Sequence, residues 1–323
     1  MVRDPQNTEI VVTGANGLVG YEVLKTFATE WSEFDIKAFV RREPDFTFPN
    51  VSYVSGSLPD EIPSNLFEKD NVILIHFASQ LKAESLEEYR NINVTGTSKL
   101  LDSAGRKLSM IFYGSSMSVY GQGPFEKVSE KDPINPQTEL AQTRREAEIL
   151  VEMKCKELGI PGFLLRPRFI FGKRDRSTLP SLQKLSEKTF RIGTEKQSYS
   201  FINVDDYAKI ISHLAQKTKI GECTSLNIAY KEAASLEDIL DIFNPERDKS
   251  SFKIPIGFVM MLCGLSKKLL AVRTKLELIG QSQVMNTEKL YESASELVAQ
   301  WESQSKLKNV VNEFMGVNSA TEK

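Results

Sequence analysis

The first part of the chain alternates short, uninterrupted apolar runs with longer stretches that mix apolar and charged residues. The first run, residues 10–12, is β-branched, which is typical of a strand buried on both faces. Such alternation predicts an α/β fold with a doubly wound parallel sheet and crossover helices. The predicted strands start with that run and continue with "DIKAFV", "VSYV", "NVILIHFA", "LSMIFYGSS" and "GFLLRP", and the predicted helices include "SLEEYRNINVTGTSKLLDSAG" and one that starts in "NPQTELAQTRREAEIL".

Beyond about residue 170 the alternation becomes less regular. The segment "GKRDRSTLPSL" has the composition of a loop, and "YSFINVDDYAKIISHLA" predicts one more strand and helix. We therefore predict a first region of residues 1–170, to which residues 200–230 return. A second, smaller and mainly helical region would comprise residues 171–199 and 231–323.

Composition and charge exclude several classes of protein. Hydrophobic residues make up 41% of the 323 residues and charged residues 26%, and the net charge is −2. This balance gives no reason to expect binding to nucleic acid or to a membrane surface. The most apolar run, "IPIGFVMMLCGL", is shorter than the about 20 residues that cross a bilayer. The start of the chain, "MVRDPQNTEI", has no apolar signal region.

Cysteine and histidine are scarce. The cysteines, Cys155, Cys223 and Cys263, lie far apart in the sequence, which argues against a disulfide framework and a cysteine metal site. This usage fits a reducing compartment, and we predict a cytoplasmic protein. With only His76 and His213, a multi-histidine metal site is impossible, so we predict no metal.

A glycine-rich turn, "TGANGLVG" at residues 13–20, follows the first predicted strand and precedes a helix. Glycines allow a tight turn and a close approach of the backbone to a pyrophosphate, and the helix start supplies unpaired N–H groups. The turn predicts dinucleotide binding, although a turn kept only for packing is the alternative. The expected contacts with the cofactor come from Gly14, Asn16, Gly17, Leu18 and Gly20.

The second predicted strand ends in two arginines, Arg41 and Arg42. In dinucleotide-binding folds an acid at this point binds the ribose of NAD, whereas a cation suits the 2′-phosphate of NADP. We therefore predict NADP rather than NAD. Two solvated surface arginines are the alternative.

Seven segments share an order and a spacing along most of the chain: "TGANGLVG", "HFAS", "NVTGT", "SSMSVYG", "LRPRFIFG", "SFINVDDYA" and "NTEKLYESASELVAQWE". On these segments the chain resembles the extended short-chain dehydrogenase/reductase family, which includes NAD-dependent nucleotide-sugar epimerases and dehydratases. The resemblance implies a Rossmann fold with a C-terminal substrate region and a homodimer paired through two long helices. It also implies cofactor contacts from Phe77, Ala78 and Asn93.

The resemblance assigns roles to three active-site positions. Family members move a proton with a tyrosine, which is assisted by a lysine four residues later, and they hold the substrate oxygen with a serine. The serine position is Ser116, but the tyrosine position is occupied by Leu140 and the lysine position by Arg144. Leu140 has no proton to give, whereas Arg144 keeps a charge that suits the nicotinamide ribose. A further departure is Ser57, where the family has an aspartate near the adenine.

Three cations, Lys173, Arg174 and Arg176, begin the loop that leads into the second region. They are candidates for pairing with the diphosphate of a nucleotide-sugar. A charged surface loop is the alternative.

Three functions remain open at this point. The first is an NAD(P)-dependent epimerase, dehydratase or reductase that acts on a nucleotide-sugar with an altered proton relay. The second is a catalytically inactive NADP-binding protein that regulates or scaffolds a partner. The third is a reductase of a hydrophobic carbonyl substrate.

Overall fold

The computed structural model describes residues 3–188, 191–192, 194–217, 221–248, 253–254, 279–299 and 301–316. Its strands are β1 (Thr8–Thr13), β2 (Asp35–Val40), β3 (Val51–Ser55), β4 (Asn71–His76), β5 (Leu108–Gly114), β6 (Phe125–Val128), β7 (Gly162–Pro167), β8 (Phe169–Phe171), β9 (Arg191–Ile192), β10 (Ser198–Tyr199), β11 (Phe201–Asn203), β12 (Cys223–Ile228), β13 (Ala234–Ser235), β14 (Lys253–Ile254) and β15 (Gln283–Met285). Its helices are α1 (Leu18–Glu30), α2 (Leu86–Arg90), α3 (Gly96–Ala104), α4 (Glu139–Leu158), α5 (Thr178–Ser186), α6 (Val204–Lys217), α7 (Leu236–Phe243), α8 (Glu288–Ser293), α9 (Ser295–Val298) and α10 (Ser303–Met315).

Seven strands form one parallel sheet in the order β12-β7-β5-β4-β1-β2-β3. Strand β1 is buried along its whole length, because helices cover both faces of the sheet. The order reverses between β1 and β4, and ligands of doubly wound sheets bind at such a switch point, beyond the carboxyl ends of the strands. The predicted fold class is confirmed.

Capping residues determine where the helices that flank the site begin and end. Helix α4 begins after Thr138, whose hydroxyl accepts a hydrogen bond from the N–H of Ala141 at 3.2 Å. It ends at Gly159, which has the left-handed backbone that glycine adopts readily. Helices α2 and α3 are joined by a π-helical turn at Asn91–Thr95, a feature that is frequent at functional sites.

Later segments of the chain return to the main sheet and build smaller ones beside it. Strand β12 is an edge strand of the main sheet, and β11 pairs in parallel with β8. A four-stranded sheet follows the order β13-β10-β15-β6. The apolar run "IPIGFVMMLCGL" lies outside the described residues except for Ile254. Within the described ranges no helix has both the length and the apolar character needed to cross a membrane.

Two cysteines that are remote in sequence meet at the end of α4. A Cβ atom on Gly162 would lie 2.4 Å from Sγ of Cys155 and 3.1 Å from Sγ of Cys223, so only glycine fits between them. Both thiols are free. Cys263 lies outside the described residues.

Candidate active site

The glycine turn between β1 and α1 is shaped by close backbone contacts. Gly14 has φ +70°, and a Cβ atom there would lie 2.6 Å from the backbone of Phe77. A Cβ atom on Gly20 would lie 2.3 Å from the carbonyl oxygen of Gly14. Gly17 precedes the first residue of α1, Leu18, and no side chain caps this helix start. The first N–H groups of α1 are therefore free to bind an anionic ligand.

His76, at the end of β4, belongs to a chain of hydrogen bonds inside the fold. The hydroxyl of Thr97 donates to the carbonyl of Asn93 at 2.7 Å, so it accepts from Nε2 of His76 at 2.9 Å. Nδ1 of His76 then accepts from the hydroxyl of Thr13 at 2.6 Å, and Thr13 accepts from the N–H of Ala78 at 3.1 Å. Burial lowers the pKa of His76 to about 4. The ring is therefore neutral and helps to hold the loop after β4 in place. Because both of its nitrogens are hydrogen-bonded, it is not available as a base.

Asn93 holds the loop after β4 in place. Its Oδ1 accepts from the N–H of Gln80 at 2.7 Å and from the hydroxyl of Ser79 at 3.1 Å. Its Nδ2 donates to the carbonyl of Gln80 at 3.2 Å and to Oγ1 of Thr143 on α4 at 3.1 Å. The side-chain amide of Asn93 therefore links the loop after β4 to α4, and the contact of Asn93 with a cofactor stays a prediction.

The adenosine of a bound dinucleotide is expected at the carboxyl end of β2. Arg41 and Arg42 are exposed there, and Nδ2 of Asn16 donates to the carbonyl of Arg42 at 3.1 Å. Arg174 reaches the same end. Its guanidinium lies 4.1 Å from the ring centroid of Tyr21 and 3.3 Å from Oδ1 of Asp45.

The three predicted substrate cations differ in their surroundings. Arg174 contacts Tyr21 and Asp45, whereas Lys173 and Arg176 are exposed in the loop before α5. Their contact with a substrate stays a prediction. Asp175, between them, is buried and accepts hydrogen bonds from the backbone N–H groups of Thr178 and Leu179. The loop is fixed by this aspartate rather than by its cations.

Ser116 stands two residues beyond the end of β5. It is almost fully buried, and its Oγ accepts a hydrogen bond from the N–H of Ser118 at 3.2 Å. The hydroxyl proton is not used by that bond, so Ser116 remains able to donate to a substrate oxygen.

Leu140 and Arg144 lie one turn apart on α4, and both are partly buried. Nε of Arg144 is shielded from solvent and has no hydrogen-bond partner among the residues that the structure describes. Burial lowers the pKa of Arg144, and the nearby hydroxyls of Tyr113 and Tyr207 oppose that shift. Arg144, which the sequence places at the lysine position, therefore has a buried guanidinium nitrogen that no described residue bonds.

A buried ion pair missed by the sequence reasoning fixes the base of the site. Glu148, one turn beyond Arg144, accepts from Nε and Nη2 of Arg166 at 2.8 Å each and from the hydroxyl of Ser115 at 2.6 Å. Burial alone would lower the pKa of Arg166, but the carboxylate of Glu148 outweighs burial and raises it. The acid in "REAE", where Glu148 is the last residue, was the available signal, although it could not name its partner.

Tyr120 extends this network and keeps its proton. Its hydroxyl accepts from Nη1 of Arg166 at 2.9 Å and donates to Oδ1 of Asn227 at 2.9 Å. Burial raises the pKa of Tyr120 to about 12. Tyr120 therefore orients the turn after Ser116 and does not supply the missing acid.

A family model of the NAD dependent epimerase/dehydratase family matches residues 10–229, which include all of these positions. The chain belongs to this family.

Relatives within the epimerase/dehydratase family differ in their named substrates. The chain is 26% identical over 227 residues to the sterol-4-alpha-carboxylate 3-dehydrogenase, decarboxylating, of Saccharomyces cerevisiae. This match covers 64% of this chain and 65% of the yeast protein, which is slightly less than two thirds of the length of the yeast protein. It is 24% identical over 255 residues to a putative UDP-glucose 4-epimerase of Methanocaldococcus jannaschii, covering 73% of this chain and 82% of that protein. A solved structure of UDP-glucuronic acid 4-epimerase from Bacillus cereus in complex with NAD has the same fold, with a TM-score of 0.72, 18% identity, and coverage of 96% of this chain and 99% of that one.

The cleft of this epimerase/dehydratase family member fits a dinucleotide. The bare backbone at Gly14 and Gly20 leaves no side chain between the loop and a bound pyrophosphate, and the start of α1 has unpaired N–H groups. Nε of Arg144, the predicted contact of the ribose, has no partner among the described residues. The match to an NAD-dependent family and the NAD named with the Bacillus cereus structure give no support to a preference for NADP.

Proposed function

We propose that this protein binds NAD(P) in the glycine cleft and acts on a nucleotide-sugar through an altered proton relay. The steric demand for glycine at Gly14 and Gly20, beside an uncapped helix start, is the observation that carries the cofactor proposal. The nucleotide-sugars in the names of its relatives support the substrate class.

The residues of this chain divide the work as follows. A bound cofactor supplies hydride transfer chemistry. Arg144 holds the ribose with its charge, and Ser116 donates a hydrogen bond to the substrate oxygen. Leu140 carries no proton to donate, so the proton comes from a water molecule held by Ser116. Such a relay is slow compared with a positioned tyrosine.

The cofactor is tested first, by following NADH and NADPH fluorescence on titration with the purified protein. We expect binding of both, with the tighter binding to NADPH that Arg41 and Arg42 favour. Gly14→Ala removes binding because its Cβ atom collides with the backbone of Phe77. Gly105→Ala is a matched control, since Gly105 also has a positive φ but its Cβ atom meets nothing within 4 Å. Binding of neither cofactor would refute the proposal.

The dormant alternative is favoured by Leu140 and is tested by restoring the family pair. We expect the double variant Leu140→Tyr with Arg144→Lys to raise turnover of nucleotide-4-keto-sugars by at least about a hundredfold, the typical contribution of a general acid. NADPH binding without any wild-type turnover supports dormancy. Wild-type turnover that survives Ser116→Ala would contradict both the dormancy and the role of Ser116.

A reductase of a hydrophobic carbonyl compound is the second candidate, and a specific cavity favours it. The cavity has a volume of about 300 Å³ and lies under β8 and α5. Its wall is mainly apolar and includes Phe171, Leu182 and Ile239. The sterol substrate in the name of the yeast relative agrees with this candidate. NADPH oxidation with a steroid ketone but not with nucleotide-4-keto-sugars would select it.

The proposal also covers the division of the chain into regions, its location and its oligomeric state. We propose a division into a dinucleotide-binding region of residues 1–170 and 200–230 and a substrate region of 171–199 and 231–323. We also propose a cytoplasmic homodimer that pairs through α4 and the α2–α3 helix. Ile149 and Met153, exposed by 40% and 63% on one face of α4, support that pairing surface.

A further inference from the structure

Arg168 lies at the carboxyl edge of the main sheet, close to Ser116. In the parallel pairing of β5 and β7, Gly114 is opposite Leu165. Ser116 follows Gly114 by two residues and Arg168 follows Leu165 by three, so both leave the sheet at the same edge on neighbouring strands. The edge that carries the candidate active site therefore also carries Arg168.

Arg168 is partly buried, and two of the three nitrogens of its guanidinium are shielded from solvent. Its Nε and Nη2 atoms are buried and have no hydrogen-bond partner in the described part of the chain. Arg166, two residues earlier, is buried as well, but Glu148 and Tyr120 satisfy it. A desolvated cation without a partner is costly, and since no described residue bonds these two nitrogens, they are available to an anion from a ligand.

The charge of Arg168 persists at neutral pH. Burial lowers its pKa to about 10, and the nearby hydroxyl of Tyr199 opposes the shift. The group is thus a permanent cation under ordinary conditions. It is held in place by the ring of Phe169, whose centroid lies 4.7 Å from the guanidinium carbon.

The two neighbours of this cation belong to the wall of the apolar cavity. Phe169, which stacks on Arg168, and Tyr199, which interacts with it electrostatically, both line the cavity of about 300 Å³. The remainder of that wall is mainly aliphatic and aromatic, including Phe171, Leu182 and Leu236. The positively charged guanidinium of Arg168 thus lies beside a mainly apolar cavity.

We propose that Arg168 and this cavity form one binding site for a hydrophobic carboxylate. The carboxylate accepts hydrogen bonds from Nε and Nη2 of Arg168 in the side-on, two-point geometry that guanidinium groups offer. The apolar body of the ligand fills the cavity between β8, α5 and α7. This inference rests on the second candidate function and specifies its substrate as an acid.

Two fluorescent probes of similar shape test the site on the full-length protein. The probe 8-anilino-1-naphthalenesulfonate carries an anionic group, and N-phenyl-1-naphthylamine does not. We expect Arg168→Gln to raise the dissociation constant of the anionic probe by about tenfold or more, the loss of a charged hydrogen bond, and to leave the neutral probe unchanged. Arg106→Gln, which removes an exposed cation just before β5 and therefore at the opposite edge of the sheet, leaves both probes unchanged.

Displacement of the anionic probe identifies the ligand class. Decanoate should displace it from the wild-type protein at about a tenth of the concentration that decan-1-ol requires, and the two should become equal on Arg168→Gln. Arg168→Lys should recover part of the difference because it keeps the charge but not the two-point geometry. Displacement by UDP-glucose at lower concentration than decanoate, lost in Arg168→Gln, would assign the arginine to a diphosphate and overturn the proposal.

Thermal unfolding and NADH binding of the same variants separate this proposal from the function itself. We expect Arg168→Gln to fold and to bind NADH like the wild type. Unchanged probe binding in that variant, with NADH binding intact, refutes the carboxylate site alone. Absence of NADH binding in the wild type refutes the proposed function and leaves the probe result standing.

Discussion

At the scale of single residues, His76 shows how a buried polar side chain is used entirely within the fold. It is the last residue of β4, and its two ring nitrogens are hydrogen-bonded to Thr13 and Thr97. Because the donor and acceptor roles along this chain are all determined, the ring has no lone pair or proton left for a substrate.

The neutral state of His76 makes stability depend on pH in a known direction. Its folded pKa of about 4 lies below the value near 6.5 of an unfolded histidine. Below about pH 6.5 the unfolded chain therefore binds a proton that the folded chain does not, and stability falls as pH falls towards 4. We expect His76→Asn to lose about 2 kcal/mol less than the wild type between pH 7 and 4.5 in urea unfolding. Parallel pH profiles of the two proteins would contradict this.

Two buried tyrosines offer a matched comparison of a free and a bonded hydroxyl. The hydroxyl of Tyr207 has no hydrogen-bond partner among the described residues, whereas that of Tyr230 donates to Oδ2 of Asp206 at 2.5 Å. We expect Tyr207→Phe to raise the free energy of unfolding by about 1 kcal/mol, since it removes an unsatisfied polar group. Tyr230→Phe should lower it by about 1 to 3 kcal/mol. Equal effects in urea unfolding would show that Tyr207 has an unrecognised partner.

Helix α4 carries three residues with different proposed or observed roles on successive turns of one face. Leu140 stands at the predicted position of the proton donor, Arg144 is the predicted contact of the ribose, and Glu148 neutralises Arg166 of β7. The cap at Thr138 sets the register of all three. A shift of one residue would turn them by roughly 100 degrees and dismantle the site.

Of these three residues, Glu148 has the largest expected effect on the free energy of unfolding. Glu148→Ala leaves the buried charge of Arg166 without a counter-ion and with only the neutral hydroxyl of Tyr120 as a partner, so we expect the free energy of unfolding to fall by about 3 to 5 kcal/mol. Glu152→Ala, on the next turn, removes only a more exposed pair with Arg145 and should cost at most about 1 kcal/mol. Urea unfolding measures both. A small effect of Glu148→Ala would mean that water reaches Arg166.

The elements themselves were largely predictable, because their patterns are local. The segments "DIKAFV" and "GFLLRP" coincide with β2 and β7, and the helix predicted from "NPQTELAQTRREAEIL" begins after Thr138. The family and the fold class were correct for the same reason, since both depend on the order of such segments. Pairs such as Glu148 with Arg166, or Arg168 with its cavity, join residues through the folded sheet. The periodicity of hydrophobic residues does not specify which distant side chain will lie next to the end of a strand.

At the scale of the whole molecule, the surface of α4 that faces away from the sheet offers a place for a second copy. Ala147, Val151 and Cys155 bury one side of the helix, which leaves Ile149 and Met153 together on the other. Exposed apolar side chains four residues apart form a stripe that suits another helix. A two-fold axis beside α4 would bury the stripe of each copy against its partner, as closed symmetry requires.

A charge placed in that stripe tests the homodimer. We expect the double variant Ile149→Asp with Met153→Asp to elute as a monomer while the wild type elutes as a dimer, because each carboxylate would be desolvated at the interface. Size-exclusion chromatography with light scattering measures both masses. Leu81→Asp is the control, since Leu81 is also exposed, by 60%, but lies in the loop after β4. A dimer that survives the double variant, or one lost in Leu81→Asp, would place the interface away from α4. NADH titration of the monomeric variant then shows whether the cleft between β1 and β4 is complete in a single chain, as its contacts within one copy lead us to expect.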